Sequence, residues 1–96
     1  MKEDIKEEKE LLSVIHQNRA AAHFHLQNYR SSLNDSVFAV KFNPKNVKAI
    51  LRCAEACHAL KLYSDCINWC EKGLNISGFS IMNFKNIFKF IMFDVF

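Results

Sequence analysis

Residues 16–29 read "HQNRAAAHFHLQNY", and residues 50–63 read "ILRCAEACHALKLY". The second stretch begins 34 residues after the first. Laid in that register, Ala20 falls on Ala54, Ala22 on Ala56, Leu26 on Leu60 and Tyr29 on Tyr63. Working outward, Asn34 falls on Asn68, Leu33 on Ile67, Val40 on Leu74, Ala39 on Gly73 and Pro44 on Gly78. A period of this length marks a stacked helical repeat.

Within each unit the apolar spacing is helical. Ala22 and Leu26 lie four apart, as do Ala56 and Leu60, and are expected on one apolar stripe. A turn at Gln27–Asn28 separates this helix from a second apolar series, Tyr29, Leu33, Val37 and Val40, which the second unit repeats as Tyr63, Ile67, Cys70 and Leu74. "NPKN" at 43–46 divides the units, since proline ends one helix and is tolerated at the start of the next. The expected helices lie near 13–26, 30–42, 45–60 and 64–76. Ala20 and Ala54, with Ser32 and Cys66 on the partner helices, leave room for the close approach of helix pairs. Tyr29 and Tyr63 are expected to pack at the turns.

The bulk numbers agree. The chain has 96 residues, half of them apolar and a quarter charged, with two Gly and one Pro. That composition suits one small helical domain and few turns. The net charge of +3 is uneven: residues 1–12 carry three Lys and five acids, so the remainder is net +5. Such an excess suits an anionic partner, but is too weak for nucleic acid and comes with no nucleic-acid motif. The charged start "MKEDIKEEKE" is no secretory leader, so the cytoplasm is the expected compartment, with the nucleus as a second. The four Cys would remain thiols there.

A 34-residue helix–turn–helix unit with small residues at these places resembles the tetratricopeptide repeat (TPR) family. The match covers 13–78, and "NRAAAHFHLQNYRSSLND" and "KAILRCAEACHAL" are particularly like its co-chaperone members. The resemblance implies an all-α fold: two TPR units, 13–46 and 47–78, stacked as a short α-solenoid. Residues 1–12 form a charged helical extension, solvated and laced with pairs such as Lys6–Glu10. Residues 79–96 form an atypical tail holding six of the nine Phe.

The resemblance also implies a site. Co-chaperones of this type hold the acidic C-terminal peptide of heat-shock protein 90 or heat-shock protein 70 in a carboxylate clamp. Asn18 in "NRAAA" matches its amide, and Lys48 and Arg52 in "KAILR" match two of its cations. Lys48 and Arg52 are four apart, hence on one helical face. Asn18 and Arg52 are one period apart, hence at equivalent points of adjacent units. Lys offers a point charge, and Arg a fork of donors for a carboxylate. The expected role is a non-enzymatic adaptor with no cofactor and no membrane span.

The family's clamp also draws a Lys and an Asn from a preceding repeat, where this chain has twelve charged residues. Arrays usually need about three units to bury a continuous core. The expectation is therefore a shortened form of a three-repeat domain. Its tail, rich in residues with A/T-rich codons, fits translated intron or frame-shifted sequence, and an alternative to the adaptor is a truncated form that folds poorly or binds nothing by itself. Lys85, Lys89 and Asp94 interrupt the tail too often for a span.

The four Cys offer a different reading. Cys53, Cys57, Cys66 and Cys70 have the spacing C-x3-C-x8-C-x3-C. Across a hairpin, Cys53 would face Cys70 and Cys57 would face Cys66, fit for zinc or two disulfides. The plainer reading makes each a small hydrophobe at a repeat packing position. His16, His23, His25 and His58 lack metal-ligand spacing, and neither Asp35 nor Asp65 has a partner suggesting acid–base chemistry. Trp69 is expected to pack against the segment that follows it.

Overall fold

The computed structural model describes residues 2–76, so the Phe-rich tail lies outside the described residues. Four helices follow in order: α1 (Lys2–His25), α2 (Tyr29–Phe42), α3 (Val47–Ala59) and α4 (Tyr63–Leu74). There is no strand among the described residues. α1 pairs with α2 and α3 with α4 as hairpins, and α3 stacks on both α1 and α2. The result is two helix–turn–helix units in a short α-solenoid.

The 34-residue period is written into the hydrogen bonds. Ser32 Oγ donates to the Ala20 carbonyl at 2.8 Å, and Cys66 Sγ donates to the Ala54 carbonyl at 3.1 Å. Each bond ties a small residue of the second helix to the small residue of the first, where both are buried. The turns also match. Asn28 N–H reaches the His23 carbonyl and Gln27 N–H that of Phe24; Leu62 N–H reaches Cys57 and Lys61 N–H reaches His58. These pairs are the double bond of a helix end closed by a left-handed residue, here Gln27 (φ 65°) and Lys61 (φ 62°). Beside each turn an aromatic pair closes the elbow, Phe24–Tyr29 at 5.2 Å and His58–Tyr63 at 6.1 Å.

Between the units, α2 ends at Asn43 and α3 begins after Asn46, with Pro44 in the turn. Asn46 Oδ1 caps α3 by accepting from Ala49 N–H at 3.1 Å. Its Nδ2 donates to Ser13 Oγ at 2.9 Å, and Ser13 Oγ donates to the Ala39 carbonyl at 2.6 Å. One buried hydroxyl thereby joins α1, α2 and the start of α3.

The core lies at the stacking interface: Leu33, Ala39 and Val40 of α2, Ala49, Ile50, Cys53, Ala54, Ala56 and Cys57 of α3, and Cys66 and Cys70 of α4. Trp69 also packs onto this cluster. It lines a groove with Leu33, Val37 and Phe38 of α2, and so meets the unit before it.

Two expectations need correction, and the alternative reading of the cysteines is not met. Ala22 and Leu26 are exposed, Leu26 by 70%, although their counterparts Ala56 and Leu60 are fully buried and half-buried respectively. α3 is surrounded by α1, α2 and α4, whereas α1 is packed only by α2 and α3 among the described residues. Lys6 and Glu10 do not meet as an ion pair; both line an open groove beside the turn at Phe42–Lys45. The four Cys are free. No group of three or more His, Cys, Asp or Glu among the described residues could hold a metal ion. Cys66 turns to a backbone carbonyl, and all four Cys are buried in the core cluster. Burial pushes the Cys53 thiol up to about 12 and the Cys57 thiol up to about 11, away from the thiolate that zinc requires.

Candidate functional site

α1 and α3, the first helices of the two units, lie against each other and form one wall. Asn18 is exposed on α1, and Lys48 is exposed in the first turn of α3. Neither side chain has a hydrogen-bond or ion-pair partner among the described residues. Arg52 stands one turn beyond Lys48 and is half-buried. Its Cζ lies 4.7 Å from the centroid of the Phe24 ring of α1. The sequence-predicted cations thus share a helix face, and a ring from the other helix supports Arg52.

This support has a physical value. A guanidinium is planar and weakly hydrated, so it stacks on an aromatic face without losing its in-plane donors. Phe24 is itself fixed by the edge of Tyr29. Arg52 also meets Glu55 on its own helix, Nη1 to Oε1 at 3.5 Å. Burial raises the Glu55 carboxyl above its ordinary range, while Arg52 and His25 act to lower it.

A second charged group was invisible to spacing. Arg19 Nε and Nη2 donate to the two oxygens of Asp35, both at 2.8 Å. His23 Nε2 lies 3.8 Å from the same carboxylate, and its Nδ1 is buried without a hydrogen-bond partner. The hydrogen bonds from Arg19 hold the Asp35 carboxyl below its usual range, against the opposing effect of burial. The ion pair ties α1 to α2. At these places the second unit has Cys53, Cys57 and Trp69, so the repeat gave no hint of the pair. Glu55 could have been noticed, since Arg and Glu three apart share a helical face. Phe24 could not, because stacking across units is not encoded in local spacing.

No family model matches the chain. Among curated proteins it is similar to "Tetratricopeptide repeat protein 4" of Bos taurus, 49% identical over 70 residues, or 72% of this chain and 18% of that protein. The human protein of the same name is 46% identical over the same coverage. "Mitochondrial import receptor subunit TOM70" of Homo sapiens is 43% identical over 56 residues, 58% of this chain and 9% of that one. The chain thus spans about a fifth or less of the length of these relatives.

Proposed function

The chain belongs to the tetratricopeptide repeat family, and on that footing we propose that it is a co-chaperone adaptor. It would bind the acidic C-terminal peptides of heat-shock protein 90 and heat-shock protein 70. Asn18, Lys48 and Arg52 form the clamp, without catalysis and without a cofactor. A cytoplasmic place of action, with a nuclear pool, belongs to the same proposal.

One observation carries the reading: the Arg52 guanidinium is held on the Phe24 ring at the wall shared by α1 and α3. An ordered cation at this place loses less entropy on meeting a carboxylate than a free side chain would. Lys48, exposed one turn away, supplies a second charge for a peptide that ends in several acids. Asn18 supplies an amide donor from the neighbouring helix.

Calorimetric titration with a short acidic peptide carrying a free C-terminal carboxylate, beside its amidated form, tests this. The free acid should bind more tightly. Lys48→Ala and Arg52→Ala should each weaken it by roughly 10- to 100-fold, the worth of one charge-assisted hydrogen bond. Equal binding of the two peptides rejects the clamp.

A further inference from the structure

Two arginine–carboxylate pairs in this molecule differ in kind. Arg19 grips Asp35 with two bonds of 2.8 Å, a closed fork. Arg52 meets Glu55 at a single point, 3.5 Å apart, with side chains 22% and 33% exposed. The first geometry locks. The second leaves the Arg52 fork largely unfilled while keeping a carboxylate at its edge.

We propose that Glu55 is a built-in competitor of the clamp, whose carboxylate occupies Arg52 until a ligand carboxylate displaces it. The proposal rests on the clamp reading above. The guanidinium lies 4.7 Å from the Phe24 centroid, and Glu55 stands 3.5 Å from one of its donors, so a ligand carboxylate that reaches that donor meets Glu55 there. A ligand with one carboxylate would exchange one pairing for another and meet the repulsion of Glu55. A ligand with adjacent carboxylates can place one on Arg52 and one on Lys48, and the second pairing tips the exchange. The class selected is therefore a peptide end in which a terminal carboxylate adjoins an acidic side chain. The raised carboxyl of Glu55 fits this role, since a partly buried carboxylate that is poorly compensated is readily displaced.

A plain anchoring role predicts the opposite sign. If Glu55 served only to orient Arg52, its loss would weaken binding. The test uses the full chain with the free-acid and amidated peptides, and the variants Glu55→Gln, Glu55→Asp, Arg52→Ala and Glu55→Gln with Arg52→Ala. Glu55→Gln should tighten the free acid by roughly two- to fivefold, the range of an ion pair near the surface. Glu55→Asp, which keeps the charge but withdraws it by one methylene, should tighten it as well. Glu55→Gln should bring no gain in the Arg52→Ala background. Helical melting by circular dichroism verifies that each variant is folded; if Glu55→Gln does not fold, Glu55→Asp decides. Unchanged or weaker binding by the folded Glu55 variants overturns the proposal, as does a gain that survives Arg52→Ala. If wild type discriminates between the peptides and only the Glu55 variants fail expectation, the clamp stands without the competitor. If wild type does not discriminate between the peptides, both fall.

Discussion

Gln27 and Lys61 occupy the left-handed region at φ near 65° and 62°, one period apart. A Cβ in that region crowds the following carbonyl, at a cost of roughly 1–2 kcal/mol. Glycine removes the crowding but adds freedom to the unfolded chain. Gln27→Gly and Lys61→Gly should therefore each stabilise the fold by about 0.5–1 kcal/mol, and together by nearly the sum, since the turns are independent. Urea midpoints measured by circular dichroism would register the gain; a loss at either site would mean that its turn is closed differently. The Arg19–Asp35 pair belongs to the same scale and makes stability depend on pH. Asp35 has a folded pKa below its unfolded value, so its contribution is fully present above about pH 4 and fades as pH falls through the lower, folded pKa. Asp35→Asn should flatten this acid limb in thermal melts between pH 5 and 2, whereas an unchanged limb would assign the acid sensitivity to other carboxylates.

Among the helices, α1 and α3 occupy equivalent repeat positions but not equivalent environments. Ile15 of α1 is 50% exposed, and its counterpart Ala49 is fully buried; Ile50 is fully buried, and its counterpart His16 lies at the edge against Phe38 and Phe42. Ile50→Ala should cost about 2–5 kcal/mol through lost transfer energy and a cavity. Ile15→Ala should fall within about 0.5 kcal/mol of wild type. Chemical denaturation of the two variants checks the contrast, and equal losses would mean that α1 buries the face that holds Ile15. Here lies the limit of what the sequence disclosed. The 34-residue echo of Ala20 with Ala54 and of Tyr29 with Tyr63 revealed the hairpins, because those residues sit where each unit packs on itself. It could not tell that Ala22 and Leu26 face solvent while Ala56 is buried, since that depends on how many helices surround each copy. The same holds for the site. Asn18, Lys48 and Arg52, the residues of the proposed clamp, came from the resemblance and the spacing, whereas Phe24 under Arg52, Asp35 under Arg19 and Ser13 beside Asn46 are contacts between separate helices that no local pattern records.

At the scale of the molecule the question is whether the two hairpins unfold as one body, and the thiols can answer it. All four Cys sit in α3 and α4 with at most 1% exposure, and two of the thiols are raised to about 12 and about 11. A reagent that needs an accessible thiolate must therefore wait for an opening. In a stacked array, stability is approximately a sum of unit terms and interface terms, so partial opening is possible in principle. The interface here is continuous with the interior of the second unit: the core runs from Leu33 and Val40 of α2 through α3 to Cys66 and Cys70. The Ser13–Asn46 network ties α1 and α2 to the cap of α3 as well. Opening α4 alone would expose Cys66 and Cys70 and uncover α3 with them, so the second hairpin has no stable intermediate of its own. An adduct on any one of these buried thiols does not fit the core and keeps the chain open, so alkylation in dilute reagent should produce species with no label or four labels in intact-mass spectra. The labelling rate should follow the global unfolding constant as urea rises. A population carrying two labels, on Cys66 and Cys70, would show instead that α4 opens while α1–α3 remain folded, and the array would then be cooperative only through its first three helices.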